Sequence, residues 1–210
     1  IVWPMEMLGW LTNSFSSAVA STKKIRKLYT NVPEITDPEN PVALDEIKGT
    51  IDFEHVTFEQ GNKTILNDIS FHVEAGKTIG IMGATGTGKS SIINILQRFY
   101  ETSEGSIKVD GINIKDLALK DLRSSISLVM QDVFLFSDTI KENIKMGKKY
   151  DINKEIMLES ASYAQADSFI DKLDNKYNTV IGERGVGLSG GQKQRISIAR
   201  ALAKKAPIQV

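Results

Sequence analysis

The chain contains no cysteine, which excludes disulfide bonds, thiolate metal ligands and a cysteine nucleophile and is compatible with a reducing compartment. Its net charge is zero, from 26 basic and 26 acidic residues, so no overall positive field favours nucleic acid as a partner. Only two histidines occur, His55 and His72, and both lie in strand-like segments, where we expect surface positions. The hydrophobic share of 41% is that of an ordinary globular protein.

Long apolar runs are also lacking. Residues 1–32 are apolar at mostly helical spacing, but the apolar part is shorter than the roughly 20 residues that span a bilayer. From this segment alone two interpretations stay open. It is either the cytoplasmic end of a membrane helix, with Trp3 and Trp10 at the interface, or an amphipathic helix packed on a soluble core. Residues 33–48, which include three prolines, are predicted to be an extended linker.

Residues 49–210 form the next predicted domain and combine strand patterns with helix patterns. Runs of β-branched and aromatic residues predict strands at Ile51–Phe58, Ile65–Val73 and Thr78–Met82, the third as a buried central strand. Another buried strand is predicted at Ile126–Gln131. Helical patterns cover residues 89–100, 153–172 and 190–204. The predicted fold class is α/β, with an antiparallel β piece joined to a parallel core.

The residues GATGTGKS, Gly83–Ser90, fit the pattern G-x-x-x-x-G-K-[ST] between a predicted strand and a predicted helix. Glycines let the backbone curl so that successive N–H groups point at phosphates, and the helix start adds its positive dipole end. Lys89 supplies a charge for the β and γ oxygens, and the Ser90 hydroxyl is a ligand for Mg²⁺. The pattern therefore predicts a nucleoside triphosphate site. The predicted binding residues of this loop are Gly83, Ala84, Thr85, Gly86, Thr87, Gly88, Lys89, Ser90 and Ser91.

Three further motifs resemble the ATP-binding-cassette (ABC) proteins. LSGGQKQR, Leu188–Arg195, resembles the signature motif of that family, and VMQD, Val129–Asp132, resembles its Q-loop. GERG, Gly182–Gly185, is similar to the loop through which the exporter branch touches its membrane domain. The resemblance implies that residues 49–210 are an ABC nucleotide-binding domain that binds ATP and Mg²⁺. It implies a P-loop NTPase core of ABC type with an antiparallel β subdomain and an inserted α-helical subdomain.

The resemblance also implies roles for residues outside the phosphate loop. Gln131 joins Lys89 as a catalytic residue, since its amide would face Mg²⁺ or the attacking water and would sense the γ-phosphate. The signature residues Ser189, Gly190, Gly191 and Gln192 would contact the γ-phosphate held by a second ABC subunit, in a head-to-tail dimer.

The exporter resemblance changes the interpretation of the N-terminal segment. Residues 1–32 are then expected to be the end of the last transmembrane helix, and the basic cluster Lys23–Lys27 a positive-inside signal. The expected partners are a transmembrane domain, a membrane and a second ABC subunit, with no nucleic acid. The expected location is the cell membrane, with this domain on its cytoplasmic face.

Two departures from the family pattern are visible. The family places a tyrosine that stacks on adenine two residues after the phenylalanine of VTF, whereas this chain has Gln60 there and a core position is expected for Phe58. Losing the stack, worth roughly 1 kcal/mol, predicts weaker or less base-selective binding. The family's acidic strand is expected to begin near Ile208–Val210, so its aspartate, catalytic glutamate and switch histidine would follow Val210. The 210 residues alone are then expected to hydrolyse ATP poorly.

Three functions stay open at this point. The first is an exporter subunit that couples ATP binding and hydrolysis to solute transport. The second is a mainly regulatory ATP-binding half of a heterodimeric exporter, which Gln60 favours and the intact signature motif does not. The third is a soluble ABC ATPase acting on nucleic acid or ribosomes, and the N-terminal helix pattern, the GERG loop and the zero net charge argue against it.

Overall fold

The structure is a computed structural model, and it describes residues 2–43, 46–148, 151–182 and 185–210. The chain divides into two units between Thr36 and Asp37, inside the segment predicted to be a linker. The first unit contains the helix α1, Val2–Tyr29, which agrees with the helical spacing of its apolar residues. Trp3 and Trp10 are both exposed on it, and Arg26 and Lys27 lie in its last turn, where cations interact favourably with the helix dipole.

The described part of the chain contains no helix that combines the length and the apolar character needed to cross a bilayer. The assignment of residues 1–32 to a transmembrane domain stays a prediction.

The second unit begins with an antiparallel sheet whose strands lie in the order β2-β1-β3-β4. Its strands are β1, Ile51–Gln60; β2, Lys63–Val73; β3, Glu104–Val109; and β4, Ile112–Asn113. Strands β1 and β2 form a hairpin whose last pair is Gln60 opposite Lys63, and Gly61 takes a positive φ of 62° in the turn. Phe58 is 4% exposed, which confirms its predicted core position.

The turn between β3 and β4 attaches the preceding segment to the sheet. Asp110 and Gly111 both have positive φ, the conformation that Asp-Gly hairpin turns favour. The Asp110 carboxylate accepts hydrogen bonds from the backbone N–H groups of Lys48 at 2.8 Å, Gly49 at 3.1 Å and Thr50 at 2.8 Å. Burial raises the pKa of Asp110, but these backbone donors outweigh it and hold the pKa below its ordinary value.

A second, parallel pairing joins β5, Ile126–Ser127, to β6, Ile208–Gln209. The predicted strand Ile126–Gln131 is therefore shorter than expected, although Val129 still donates to the carbonyl of Val210 at 2.8 Å. The predicted strand Thr78–Met82 is wrong, because its residues are not assigned to any strand. A strand needs a hydrogen-bonded partner strand. Residues 78–82 pair with none of the described strands, and β5 and β6 pair with each other.

The described residues of the second unit also form six α-helices. They are α2, Lys89–Leu96; α3, Leu119–Ser124; α4, Ile140–Lys145; α5, Lys154–Tyr163; α6, Asp167–Ile170; and α7, Gly190–Ala203. The helix predicted at residues 89–100 ends earlier, and Arg98 adopts a positive φ of 51° just after it. The pattern predicted at 153–172 forms two helices, with Gln165 at φ 55° between them. The prediction for 190–204 is correct to within one residue.

Two hydrophobic cores organise this unit. One lies between the antiparallel sheet, α2, α3 and the β5–β6 pair, and it includes Phe53, Ile95 and Leu122. The other lies among α4, α5, α6 and α7, and it includes Ile144 and Ile196. The fold is therefore α/β, with an antiparallel β body next to a helical body, as predicted.

Candidate nucleotide-binding site

The phosphate loop Gly83–Ser90 leads directly into α2. Lys89, the first residue of the helix, folds its side chain back so that Nζ donates to the carbonyls of Gly83 at 2.8 Å and Ala84 at 2.7 Å. The Thr87 hydroxyl donates to the Ala84 carbonyl at 2.9 Å. These contacts hold the ammonium group over the loop. That is where a phosphate cradled by the loop N–H groups meets a positive charge.

Gly88 is the residue of the loop that must be glycine for two independent reasons. It caps α2 in the left-handed conformation, with φ 89° and ψ 10°, and provides no side-chain cap. A Cβ at Gly88 would lie 2.8 Å from Leu66 Cδ2 and 3.1 Å from Ile65 Cγ2. The loop is therefore pressed against strand β2 without room for a side chain, which connects the site to the antiparallel sheet.

One cavity of about 710 Å³ contains most of the predicted phosphate-binding residues. This volume lies within the range of about 300–1,000 Å³ typical of small-molecule sites. Its walls come from the phosphate loop and α2, from the β1–β2 hairpin, and from the residue predicted to sense the γ-phosphate. The lining residues are Gln60, Lys63, Thr64, Ile65, Thr85, Gly86, Gly88, Lys89, Ser90, Ser91 and Gln131.

Gln131 and the phosphate loop are far apart in the sequence and meet in this cavity. Gln131 follows the hydrogen bond from Val129 to Val210, so the β5–β6 pairing determines where it lies. Sequence reasoning missed the contribution of Lys63, Thr64 and Ile65 on strand β2. The signal that could have found them is the Gly-Asn turn at residues 61–62, which folds the next strand back beside Gln60.

A buried polar network behind Gln131 was also missed. Asn143 on α4 is fully buried, and its Nδ2 donates to the carbonyls of Phe136 at 3.0 Å and Thr139 at 3.1 Å. Arg200 on α7 donates from Nε to the Asn143 carbonyl at 2.8 Å and from Nη1 to the Phe134 carbonyl at 3.0 Å. Burial lowers the pKa of the Arg200 guanidinium. The network joins α7, the helix of the signature motif, to the segment that follows Gln131.

The signature motif forms the start of α7. The Ser189 hydroxyl accepts from the backbone N–H of Gln192 at 3.3 Å, and the Gln192 Oε1 accepts from the Ser189 N–H at 2.9 Å, which is a capping box. Ser189, Gly190 and Gly191 are exposed. Among the described residues that line the cavity, none comes from Ser189–Gln192. The structure therefore does not bring the chain's two predicted anion-binding elements together.

Two other predicted features have simpler outcomes. His55 and His72 are surface residues, as predicted, and their side chains are 81% and 52% exposed. Each lies within hydrogen-bond distance of a carboxylate, Asp68 for His55 and Asp52 for His72. The GERG motif includes positions 183 and 184, which lie outside the described residues.

Comparison with known proteins gives a consistent result. Residues 66–210 match the family described as ABC transporter. Over 210 residues the chain is 42% identical to the beta-(1→2)glucan export ATP-binding/permease protein NdvA of Bartonella quintana, covering 98% of this chain and 35% of that protein. Over 209 residues it is 43% identical to the ATP-dependent lipid A-core flippase of Coxiella burnetii, covering 99% of this chain and 35% of that protein.

Among solved structures, a bacterial Atm1-family ABC exporter with ATP bound matches with a TM-score of 0.86 and 36% identity. The match covers 98% of this chain and 36% of that chain. The chain therefore spans about a third of the length of the proteins it resembles. Since the family match includes most of its residues, the chain belongs to the ABC transporter family and contains the ATP-binding domain of that family.

Proposed function

We propose that this chain is the ATP-binding domain of an ABC exporter, in which ATP binding and hydrolysis are coupled to solute export across a membrane. The names of the two curated relatives, a glucan export protein and a lipid A-core flippase, support transport as the function of the whole protein. In this proposal the parent protein lies in the cell membrane, its transmembrane domain precedes residue 33, and the ATP-binding domain lies on the cytoplasmic face. The transported solute lies outside the proposal, because the relatives' solutes differ.

The residues of the cavity fit a nucleoside triphosphate with Mg²⁺. The phosphate loop and Lys89 would hold the phosphates, and the cavity is large enough for the rest of the nucleotide. The Ser90 hydroxyl and the Gln131 amide are oxygen ligands of the type that Mg²⁺ accepts, usually beside phosphate oxygens and water. Mg²⁺ held by these two residues would neutralise charge that develops on the phosphates. In this arrangement Lys89 balances the negative charge and Gln131 positions the attacking water.

The observation that carries the proposal is the separation of the two anion-binding elements. The phosphate loop lines the cavity, whereas the start of α7 is exposed and lies outside the cavity lining. A helix start of this kind, with small residues at Gly190 and Gly191, is well suited to approach a phosphate held by another molecule. We therefore place Ser189–Gln192 against the nucleotide of a second ABC subunit, in a head-to-tail dimer with two composite sites.

The experiment introduces Gly190→Glu in the full-length parent protein. A carboxylate at this position would repel the γ-phosphate of the partner's nucleotide, so we expect ATP binding to persist while ATP-driven dimer closure is lost. Gly190→Ala is the matched control, because a Cβ there has no atom within 4 Å and adds no charge. Closure can be followed by the distance between two spin labels, one in each subunit. Normal closure of the Gly190→Glu protein would contradict the composite site.

A second candidate is a mainly regulatory domain in a heterodimeric exporter. The observation that favours it is Gln60, which lines the cavity where the family pattern has a stacking tyrosine. In the purified parent protein, the two candidates differ in turnover at this site. The test replaces the phosphate-loop lysine of the partner subunit and measures ATP turnover at the site formed by this chain's own phosphate loop. Persisting hydrolysis supports the hydrolysing exporter, and ATP binding without turnover supports the regulatory domain.

A further inference from the structure

We propose that the tip of the β1–β2 hairpin recognises the edge of the nucleotide base through hydrogen bonds from Gln60 and Lys63. As a consequence the site accepts ATP and GTP with similar affinity. This inference rests on the proposed nucleotide site and adds its base specificity.

The direction of the nucleotide follows from the contacts of strand β2. Ile65 and Leu66 lie against Gly88, so this part of the strand marks the phosphate end of the cavity. Lys63 is two residues earlier, roughly 7 Å away along an antiparallel strand. With its phosphates on the loop, a nucleotide has its ribose and base along the strand toward Lys63 and its cross-strand partner Gln60.

The base meets polar side chains there and no aromatic ring. Gln60 and Lys63 are the tip residues that line the cavity, whereas Asn62 in the turn is not among those described as lining it, and neither is any aromatic residue. The ring of Tyr100 packs on buried Phe58 of strand β1, with centroids 5.6 Å apart. That ring contacts the core side of the sheet, and Tyr100 is not among the residues described as lining the cavity.

The two side chains at the tip are free to bind a base edge. Both residues are exposed, and no hydrogen bond to the described part of the protein is made by the Gln60 amide or the Lys63 ammonium group. They lie opposite each other as the last pair of the hairpin, so both can reach one ligand. Side chains that are exposed, neighbouring and without a protein partner at the open end of a cavity are suited to ligand contact.

The chemistry of these two groups explains why both purines are accepted. A glutamine amide both donates and accepts, and it pairs in a bidentate manner with N6 and N7 of adenine. A lysine ammonium only donates, and it pairs with O6 and N7 of guanine. Gln60 therefore favours adenine and Lys63 favours guanine. Cytosine has no N7, so neither of these two N7-based pairings is available to it.

The experiment is calorimetric titration of the full-length parent protein with ATP, GTP, CTP and inorganic tripolyphosphate, without Mg²⁺. We expect ATP and GTP to bind within about threefold of each other, and CTP about fivefold more weakly than either. Lys63→Met should weaken GTP about fivefold relative to ATP, and Gln60→Leu should weaken ATP about fivefold relative to GTP. Lys120→Met, on the exposed side of α3 and outside the cavity lining, is the matched control.

The possible results separate this inference from the proposed function. A preference of the unmodified protein for ATP over GTP of more than about tenfold would overturn the inference and leave the nucleotide site intact. An ATP-to-GTP ratio that neither Lys63→Met nor Gln60→Leu changes would overturn it as well. If the unmodified protein binds none of the three nucleoside triphosphates and no tripolyphosphate, the nucleotide site itself is overturned instead.

Discussion

The chain has two helix starts that resemble anion-binding sites, and they are built in opposite ways. At α2 the cap is Gly88 in the left-handed conformation, without a side-chain hydrogen bond, and the charge comes from Lys89. At α7 the cap is Ser189, whose hydroxyl forms a capping box with Gln192. The first start is shaped by its neighbours in the fold, and the second is completed by its own side chains.

This difference shows what each start is able to do. The α2 start is enclosed by strand β2 and faces a cavity within its own chain, so a ligand can fill it without another molecule. At the α7 start, the backbone N–H of Gln192 already has a hydrogen-bond acceptor in the Ser189 hydroxyl. This helix start can therefore remain exposed to solvent when no partner is bound. The helix start that we place against the nucleotide of a second subunit is therefore the one capped by its own side chains.

The largest expected effect is on nucleotide affinity after Lys89→Ala. Charge-assisted hydrogen bonds contribute about 1.5–3 kcal/mol, so we expect ATP affinity to fall by about 100-fold. At the other helix start, Lys193→Ala is the comparison variant, and it should leave affinity within about twofold because α7 does not line the cavity. Binding of a fluorescent ATP analogue without Mg²⁺ measures both. Equal losses in the two variants would mean that the α7 start is needed for ATP binding itself and not only for dimer closure.

The next effect is on stability, through a glycine-to-alanine exchange at each helix start. Gly88→Ala should lower the free energy of unfolding by about 1–3 kcal/mol, because alanine is strained at positive φ and its Cβ would meet Leu66. Gly190→Ala should raise it by about 0.5–1 kcal/mol, since alanine favours a helix and nothing lies near its Cβ. Urea unfolding of both variants checks this. A stable Gly88→Ala protein would show that the contact with β2 yields easily.

The smallest effect concerns the cap of α7. Ser189→Ala should lower the free energy of unfolding by about 1 kcal/mol through loss of the capping box. Ser90→Ala, at the start of α2, should change it by less than about 0.5 kcal/mol, because α2 has no side-chain cap. Thermal unfolding of the two proteins provides the measurement. If the two serines prove equally important for stability, the contrast between the helix starts is wrong.

Sequence reasoning succeeded where the structure depends on nearby residues. The start of α7 at Gly190 was predicted from the helical pattern of residues 190–204, and the structure shows a local capping box of Ser189 and Gln192 at that start. It failed at Thr78–Met82, whose apolar pattern indicates burial but contains no information about a pairing partner. It also missed the network of Asn143 and Arg200, whose atoms meet across 57 residues of chain. A polar Asn143 beside buried Ile144 was the available hint.

The sequence by itself determined the phosphate loop, the cap of α7 and the family, because each depends on residue types at short, fixed spacing. Only the tertiary structure decided which of these elements share a cavity. The pairing of β5 with β6 places Gln131 beside the phosphate loop, and the β1–β2 hairpin adds Gln60 and Lys63 to the same space. The start of α7 belongs to a different hydrophobic core and is excluded from that space. The physical reason is that strand pairing and core packing join residues distant in sequence, and a linear pattern does not record those contacts.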